Sequence, residues 1–138
     1  VATVMAVATR ASVRKAIAAA HSVGIKVQVD LLNVPVADVR NTVNEFAGEG
    51  ADYFLLHLAI DELLSNPSAD PLSGLDEAVA GSGEAVGPVV FTSEQGCDAI
   101  HRGAAYVVIG YPILTGPRPR EDLTAFARAI RAAGRVRP

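Results

Sequence analysis

The feature that most constrains the fold of this chain is a regular alternation of short apolar runs with segments of helical spacing. After the second run, for example, Val36, Val39 and Val43 recur at intervals of three and four residues, which is the period of an amphipathic helix. Such alternation predicts β-strands that are each followed by an α-helix, an α/β fold. The five predicted strands are 1–7, 26–33, 51–58, 86–92 and 105–110.

Polar residues ahead of the helical segments are candidates for helix N-caps. Ser12 is placed to cap the first helix, and Ser93 the helix after the fourth strand. Asp70 with Pro71 predicts the start of the helix after the third strand, as an N-cap and first-turn pair. The polar stretch 61–70 is expected to be a long connection before that helix.

Two architectures fit five parallel βα units, an open doubly wound sheet and part of a closed barrel. The runs are nearly continuous in Val, Ile and Leu, which is typical of parallel strands covered on both faces. The glycine fingerprints by which open sheets bind phosphate are absent from the sequence. Barrel active sites lie at the carboxyl ends of the strands, so polar residues there favour a partial TIM (β/α)8 barrel. Those residues are Asp30, Asn33, His57, Asp61 and Thr92.

The composition is that of a single domain over residues 1–138, with half of the residues apolar and 20% charged. The net charge of −3 argues against a nucleic-acid partner, and no apolar run approaches the ~20 residues that span a membrane. The lone Cys97 excludes an intrachain disulfide and suits a cytoplasmic location. Because the sequence begins at Val1 inside an apolar stretch, we expect that upstream sequence is missing.

The segment KVQVDLLNV carries the most specific pattern of polar residues. Strand alternation places Gln28 and Asp30 on one side and Val27 on the other. A carboxylate at an inward strand end needs a partner, because burial of an isolated charge is costly. Asp30, with Asn33 on the following loop, is therefore part of a polar site or else a cap or ion pair at the barrel rim.

His57 ends the third predicted strand, and Asp61 follows four residues later. Imidazole is the side chain best suited to proton transfer near neutral pH, although a lone histidine is more often structural. Adjacent parallel strands lie ~4.8 Å apart, so His57 and Asp30 should fall within one water molecule of each other if both point into the same mouth. If His57 points outward, it packs under a helix instead.

The remaining candidates are weaker. Gly110, Tyr111 and the later Gly116 form a loop that could approach a phosphate through bare backbone N–H groups, and a plain turn explains them nearly as well. His21, Cys97 and His101 fall in helical segments and are interpreted as surface or packing residues. The sequence contains no H-x-x-x-H and no paired cysteines, so no metal-ligand set is predicted.

These segments resemble the 3-hexulose-6-phosphate synthase group of the orotidine 5'-phosphate decarboxylase superfamily. In that group a strand similar to VMVDMINV precedes one ending in VHTGYD, then one ending in Ala-Gly-Gly, then one similar to VVIVGGAI. Here those places hold KVQVDLLNV, FLLHLAID, PVVFTSEQ and YVVIGYPIL. The resemblance covers essentially the whole chain, with VATVMAV at the family's fourth strand, and it is strong for the first two motifs and loose for the last two.

The resemblance implies the fourth to eighth units of a (β/α)8 barrel and a sugar-phosphate substrate. Because three strands of such a barrel are missing from the sequence, we expect a homodimer or a complementary N-terminal segment to cover the open face. The family's synthases join formaldehyde to ribulose 5-phosphate and use Mg²⁺ to stabilise an enediolate. Asp30, His57 and Asp61 match family aspartate and histidine positions, and the histidine handles protons at the enediolate. By the same resemblance Asn33, Thr92, Gly110 and Tyr111 are candidates for substrate binding.

The departures from the family are substantial. The Asp-x-Lys-x-x-Asp motif, which supplies the lysine and the metal-binding carboxylates, is absent from this sequence. Phe91 and Thr92 replace a glycine pair that cradles phosphate, and the next glycine pair is half kept as Gly110 and Tyr111. We therefore expect an incomplete or divergent aldehyde-lyase. The alternatives are a non-catalytic partial barrel that acts as a subunit or interaction module, and a sugar-phosphate or orotidine-phosphate decarboxylase relative.

Overall fold

The computed structural model of the protein describes residues 1–83 and 85–134. Strands and helices alternate as the sequence predicts, with one additional short helix after the third strand. The elements are β1 (Ala2–Met5), α1 (Arg10–Ser22), β2 (Val27–Asp30), α2 (Val36–Gly48), β3 (Tyr53–Leu56), α3 (Ile60–Ser65), α4 (Leu75–Gly81), β4 (Ala85–Val90), α5 (Ser93–His101), β5 (Val108–Ile109) and α6 (Pro119–Gly134).

The five strands form one parallel sheet in the order β1-β2-β3-β4-β5. Each strand pairs with the next one in sequence, and the sheet curls into an open half-barrel with helices outside. The predicted partial TIM barrel is confirmed. Parallel pairing requires a crossover after every strand, which is why the chain spends most of its length in helices and connections.

The hydrophobic core lies between the outer face of the sheet and the helices. Val29 and Phe54 are neighbours in register on β2 and β3, and both are fully buried. They pack with helix residues such as Ile17 and Val43, which lie on the apolar faces of α1 and α2. Burial of each large aliphatic or aromatic side chain contributes about 1.5–3 kcal/mol, so this layer supplies much of the driving force for folding.

The predicted helix starts need correction. The N-cap of α1 is Thr9, which has an extended backbone and a side-chain oxygen that accepts the N–H of Ser12. The predicted cap, Ser12, therefore lies inside the first turn of the helix. Likewise Thr92, and not Ser93, caps α5. In both cases the threonine lies where the strand connection is still extended, and the serine already has helical geometry.

The connection after β3 also differs from the expected long polar loop. Residues Ile60–Ser65 form α3, with Asp61 and Glu62 in its first turn, where negative charge complements the helix dipole. Asp70 accepts the N–H of Leu72 in a turn, and α4 begins only at Leu75 after Gly74 in left-handed geometry. The predicted start of that helix at Asp70 was therefore wrong.

The concave inner face of the sheet carries a polar network through Tyr106. Its hydroxyl accepts a hydrogen bond from Gln28 Nε2 at 2.9 Å and donates to the carbonyl of Phe54 at 2.8 Å. Gln28 Oε1 accepts from Thr3 at 3.3 Å, and the Tyr106 ring meets Tyr53 edge-on, with 6.2 Å between ring centroids. The network crosses from β1 to the segment before β5 and ties the half-barrel together from inside.

This network should make stability fall in alkali. Burial raises the pKa of the Tyr106 hydroxyl above its ordinary value of about 10, and the hydrogen bond from Gln28 partly opposes the rise. A raised pKa gives stability that is fully present below pH ~10 and is lost as pH rises through the folded-state value. Between about pH 8 and about pH 11, the free energy of unfolding measured in urea should fall less for Tyr106→Phe than for the native chain. The exposed Tyr111→Phe serves as the control, and equal losses in Tyr106→Phe and the native chain would contradict the prediction.

Within the described residues, no helix has the length and apolar character needed to cross a membrane.

Candidate functional site

The carboxyl ends of β2 and β3 bring together the two residues on which the site depends. Asp30 is the last residue of β2, and His57 follows directly after β3. Asp30 is aligned with Leu55 across the strands, so the period of two along β3 places His57 on the same inward side. Of the two alternatives in the sequence analysis, their contact selects the first: His57 points into the same mouth as Asp30 and does not pack under a helix.

That contact is a direct hydrogen bond, with 3.0 Å between His57 Nδ1 and Asp30 Oδ2. The other carboxylate oxygen, Oδ1, accepts the backbone N–H of Leu32 at 2.9 Å. Asp30 is only 6% exposed, and among the described residues it is the one polar residue that is buried. Both of its oxygens have donors, which is the condition under which a buried carboxylate is tolerated.

The carboxylate determines what the imidazole offers to solvent. Because Asp30 accepts a hydrogen bond, the neutral ring is expected to carry its proton on Nδ1, which leaves the Nε2 lone pair free. The His57 side chain is 31% exposed, so the ring can meet a ligand while it is held from behind. An imidazole held in this way can accept and return a proton at a fixed position.

We predict that the Asp30–His57 hydrogen bond fixes this tautomer. Long-range ¹H–¹⁵N spectra at neutral pH should show a protonated Nδ1 in His57 of the native chain, and Asp30→Asn should shift the population towards protonated Nε2 because the amide can donate to Nδ1. Asp38→Asn, an exposed site in the first turn of α2, is the matched control and should leave the His57 signals unchanged. A dominant Nε2-protonated form in the native chain would contradict the prediction.

His57 also lines a cleft of about 430 Å³ between the β2–α2 and β3–α4 connections. Asn33, exposed and in left-handed geometry with φ of 63°, lies on the same cleft. Asparagine tolerates this conformation better than most residues, so the loop can turn sharply at the rim. The structure therefore brings Asn33 to the same site as His57, as the sequence analysis expects of a loop residue beside Asp30.

The structure places the other acidic candidate differently. Asp61 is exposed in the first turn of α3 and does not line the cleft, whereas its neighbour Glu62 does. The sequence analysis missed Glu62 because α3 itself was not predicted, and helical geometry decides which of two adjacent acidic residues faces the cleft. A role for Asp61 in catalysis stays a prediction.

The last two strand ends carry the remaining candidates. Thr92 is the N-cap of α5, and its hydroxyl accepts the N–H of Gln95 at 3.2 Å. Gly110 follows β5, where its carbonyl accepts the N–H of Leu114, and Tyr111 is exposed. None of these lines the cleft beside His57, and substrate binding by Thr92, Gly110 and Tyr111 stays a prediction.

A second histidine–aspartate pair lies at the opposite, amino end of the strands. Asp52 accepts the N–H of Val27 at 2.8 Å and lies 2.9 Å from His21 Nε2. The backbone N–H of Val27 and then the His21 ring hold the pKa of Asp52 below its usual range. Barrel enzymes place their active sites at the carboxyl ends of the strands, away from this pair. The His21–Asp52 contact links α1 to the start of β3, which fits the interpretation of His21 as a packing residue.

The described residues do not form a magnesium site by themselves. Across residues 1–83 and 85–134, no three His, Cys, Asp or Glu side chains are grouped closely enough to hold a metal ion. Asp30 is the carboxylate at the mouth, and both of its oxygens are already hydrogen-bonded. Magnesium prefers six oxygen ligands in octahedral geometry, which this arrangement does not supply.

The fold and the rim together define a class of protein, a parallel half-barrel with its polar site at the carboxyl ends of the strands. Solved structures with this fold include 3-hexulose-6-phosphate synthase from Salmonella typhimurium, with a TM-score of 0.83 and 21% identity over 95% of this chain and 61% of that chain. A second 3-hexulose-6-phosphate synthase matches with a TM-score of 0.76 and 24% identity, over 95% and 60% of the respective chains.

A third structure with this fold is 3-keto-L-gulonate-6-phosphate decarboxylase from Vibrio cholerae, with a TM-score of 0.72 and 17% identity, over 99% of this chain and 61% of that chain. The chain thus spans 60–61% of the length of these structures. No protein-family model matches the sequence, and no curated protein matches it either. At these identities the comparisons establish the fold, and the predicted likeness to the synthase group is confirmed at that level.

Proposed function

We propose that this chain is part of an aldehyde-lyase barrel of the 3-hexulose-6-phosphate synthase type, acting on a sugar phosphate. The observation that carries the proposal is the Asp30–His57 pair at the carboxyl rim, where barrel enzymes place their chemistry. The likeness in fold to two such synthases supports the same choice. Superfamily membership and a cytoplasmic location are part of the proposal.

In this reaction a base removes a proton from the carbon beside the carbonyl of ribulose 5-phosphate, which gives an enediolate. The enediolate carbon then forms a bond to the carbon of formaldehyde, and the resulting alkoxide takes up a proton. His57 is the group proposed to move these protons through Nε2. Asp30 positions the ring, and its carboxylate also stabilises the imidazolium that forms when Nε2 accepts a proton.

Other parts of the site would have to come from outside the described residues. The lysine and the carboxylates of the Asp-x-Lys-x-x-Asp motif are absent from the sequence, and Mg²⁺ would need those carboxylates as ligands. A complementary segment, or a second copy in a homodimer, is proposed to complete the barrel. The chain alone is therefore proposed to bind sugar phosphate weakly and to lack catalytic competence.

The test is a titration of the ¹⁵N-labelled chain with ribulose 5-phosphate. Saturable shifts at the His57 ring and at the Asn33 amide are expected, because both line the same cleft. His57→Gln should weaken the shift at Asn33, whereas His101→Gln, on the exposed end of α5, should not. Absence of any saturable shift at the rim would reject the sugar-phosphate proposal.

A non-catalytic interaction module is the second candidate, and the open inner face favours it. Thr3, Gln28, Tyr53, Ala85 and Tyr106 line a concave surface that no element of the described chain covers. The likeness to the Vibrio cholerae decarboxylase supports a third candidate, a sugar-phosphate decarboxylase, which shares the fold and differs in the reaction.

The inner face also gives a prediction that holds for every candidate. An uncovered sheet face with two free edges favours association, so light scattering should show the apparent mass rising with protein concentration. Tyr53→Lys, which puts a charge on the inner face, should reduce that rise, and Ser12→Lys, on the exposed first turn of α1, should not. A monomer at all accessible concentrations would contradict this prediction.

A further inference from the structure

The turn between β4 and α5 has its hydrogen-bond donors occupied by its own side chains. Gln95 Oε1 accepts the backbone N–H of Phe91 at 2.9 Å and that of Thr92 at 3.2 Å. The N–H of Gln95 in turn donates to Thr92 Oγ1, which completes a capping box. Three N–H groups around this helix start, those of Phe91, Thr92 and Gln95, are thereby used within the chain and are not available to an anion.

A carboxylate of the chain lies in the same turn. Glu94 lies in the first turn of α5, and its own backbone N–H and then the Thr92 hydroxyl hold the pKa of its carboxyl below the usual range. Its negative charge is therefore present at neutral pH, at the positive end of the α5 dipole. A phosphate approaching this turn would meet both a like charge and donors that are already occupied.

We infer that Glu94 and Gln95 are specificity-determining residues that exclude a phosphate group from the β4–α5 turn. The inference rests on the proposed function, because it concerns how this rim receives a sugar phosphate. It directs the phosphate to the turn after β5, where a Cβ added at Gly110 would meet no atom within 4 Å and the backbone is open to approach. The substrate would then lie with its phosphate beside Gly110 and its reacting end towards His57.

The experiment is a titration of the full chain with inorganic phosphate at constant ionic strength, followed by the amide signals of Phe91 and Thr92. In the native chain these signals should not move saturably. In the variant Glu94→Ala with Gln95→Ala they should move saturably because both N–H groups become free, with a dissociation constant at least about tenfold below the lower limit that the native titration sets. Gln95→Met keeps the side-chain volume without the oxygen and should give a smaller gain. Asp38→Ala, which removes a carboxylate from the first turn of α2, should give none.

Saturable movement of Phe91 and Thr92 in the native chain would overturn the inference, and so would a folded double variant that gains no affinity. Circular dichroism confirms folding, and if the double variant unfolds, Gln95→Met carries the test alone. The response of Gly110 to phosphate and of His57 to ribulose 5-phosphate reports on the proposed function separately. The exclusion at β4–α5 can therefore fail while the proposed function stands, and the reverse is also possible.

Discussion

The purified chain should give no turnover of ribulose 5-phosphate with formaldehyde above the uncatalysed rate, with or without added Mg²⁺. A positioned acid–base group alone contributes about 10²–10⁴-fold, whereas enzymes reach about 10⁶-fold or more. The described residues hold one candidate for such a group, His57 beside Asp30, and they supply neither the lysine nor a metal-binding set of carboxylates. The loss relative to a complete synthase should therefore be several orders of magnitude.

The measurement is formaldehyde consumption over hours, with the Salmonella typhimurium synthase as the positive control. A parallel titration of the same sample with ribulose 5-phosphate shows whether the chain binds this substrate without turning it over or does not bind it. His57→Gln should leave the rate at the background level already seen for the native chain. Turnover by the native chain that disappears in His57→Gln would show that the described residues suffice for catalysis, and it would refute the expectation of an incomplete site.

The substitution with the largest expected effect on stability is Gly87→Ala on β4. A Cβ at this position would lie 2.4–2.7 Å from three atoms of the Tyr106 ring, far inside ordinary contact. The ring would have to leave its place and release its hydrogen bonds with Gln28 and Phe54. Overpacking typically costs about 1–3 kcal/mol and each lost hydrogen bond about 1 kcal/mol, so we expect a loss of about 2–4 kcal/mol in urea unfolding.

Two comparisons make this prediction specific. Gly48→Ala, at the end of α2 with no atom within 4 Å of the new Cβ, should be neutral or slightly stabilising, because alanine favours a helix. In a double-mutant cycle, Gly87→Ala should cost much less when Tyr106 is already alanine, because the group that it displaces is gone. An equal cost in both backgrounds would show that the damage has another cause.

The fold was predictable because the sequence patterns that specify its strands and helices are local. Continuous apolar runs such as the one through Val27 and Val29, separated by helical spacing, identify parallel βα units without any knowledge of contacts. The pairing of Asp30 with His57 was predictable for a related reason. Strand alternation sets the direction of each side chain, and neighbouring parallel strands bring their carboxyl ends to the same edge.

Helix boundaries were predicted less well, since they depend on where the backbone leaves the extended conformation. Thr9 and Thr92 are N-caps because the preceding strand connection is still extended there. From the sequence alone, the nearby serine is an equally plausible N-cap in each case. The six residues of α3 span less than two helical turns, and so short a segment does not establish a helical period. The geometry of α3 determines that Glu62, and not Asp61, lines the cleft, so this could not be predicted without the helix.

Only the tertiary structure could reveal the contacts between distant segments. Gln28 and Tyr106 are 78 residues apart, and nothing local in either segment shows that their side chains meet inside the half-barrel. The need for glycine at 87 follows from that meeting, because the ring that fills the space beside it comes from another strand connection. Periodicity along the sequence fixes the direction in which a side chain points, whereas the curvature of the sheet decides which distant group it reaches.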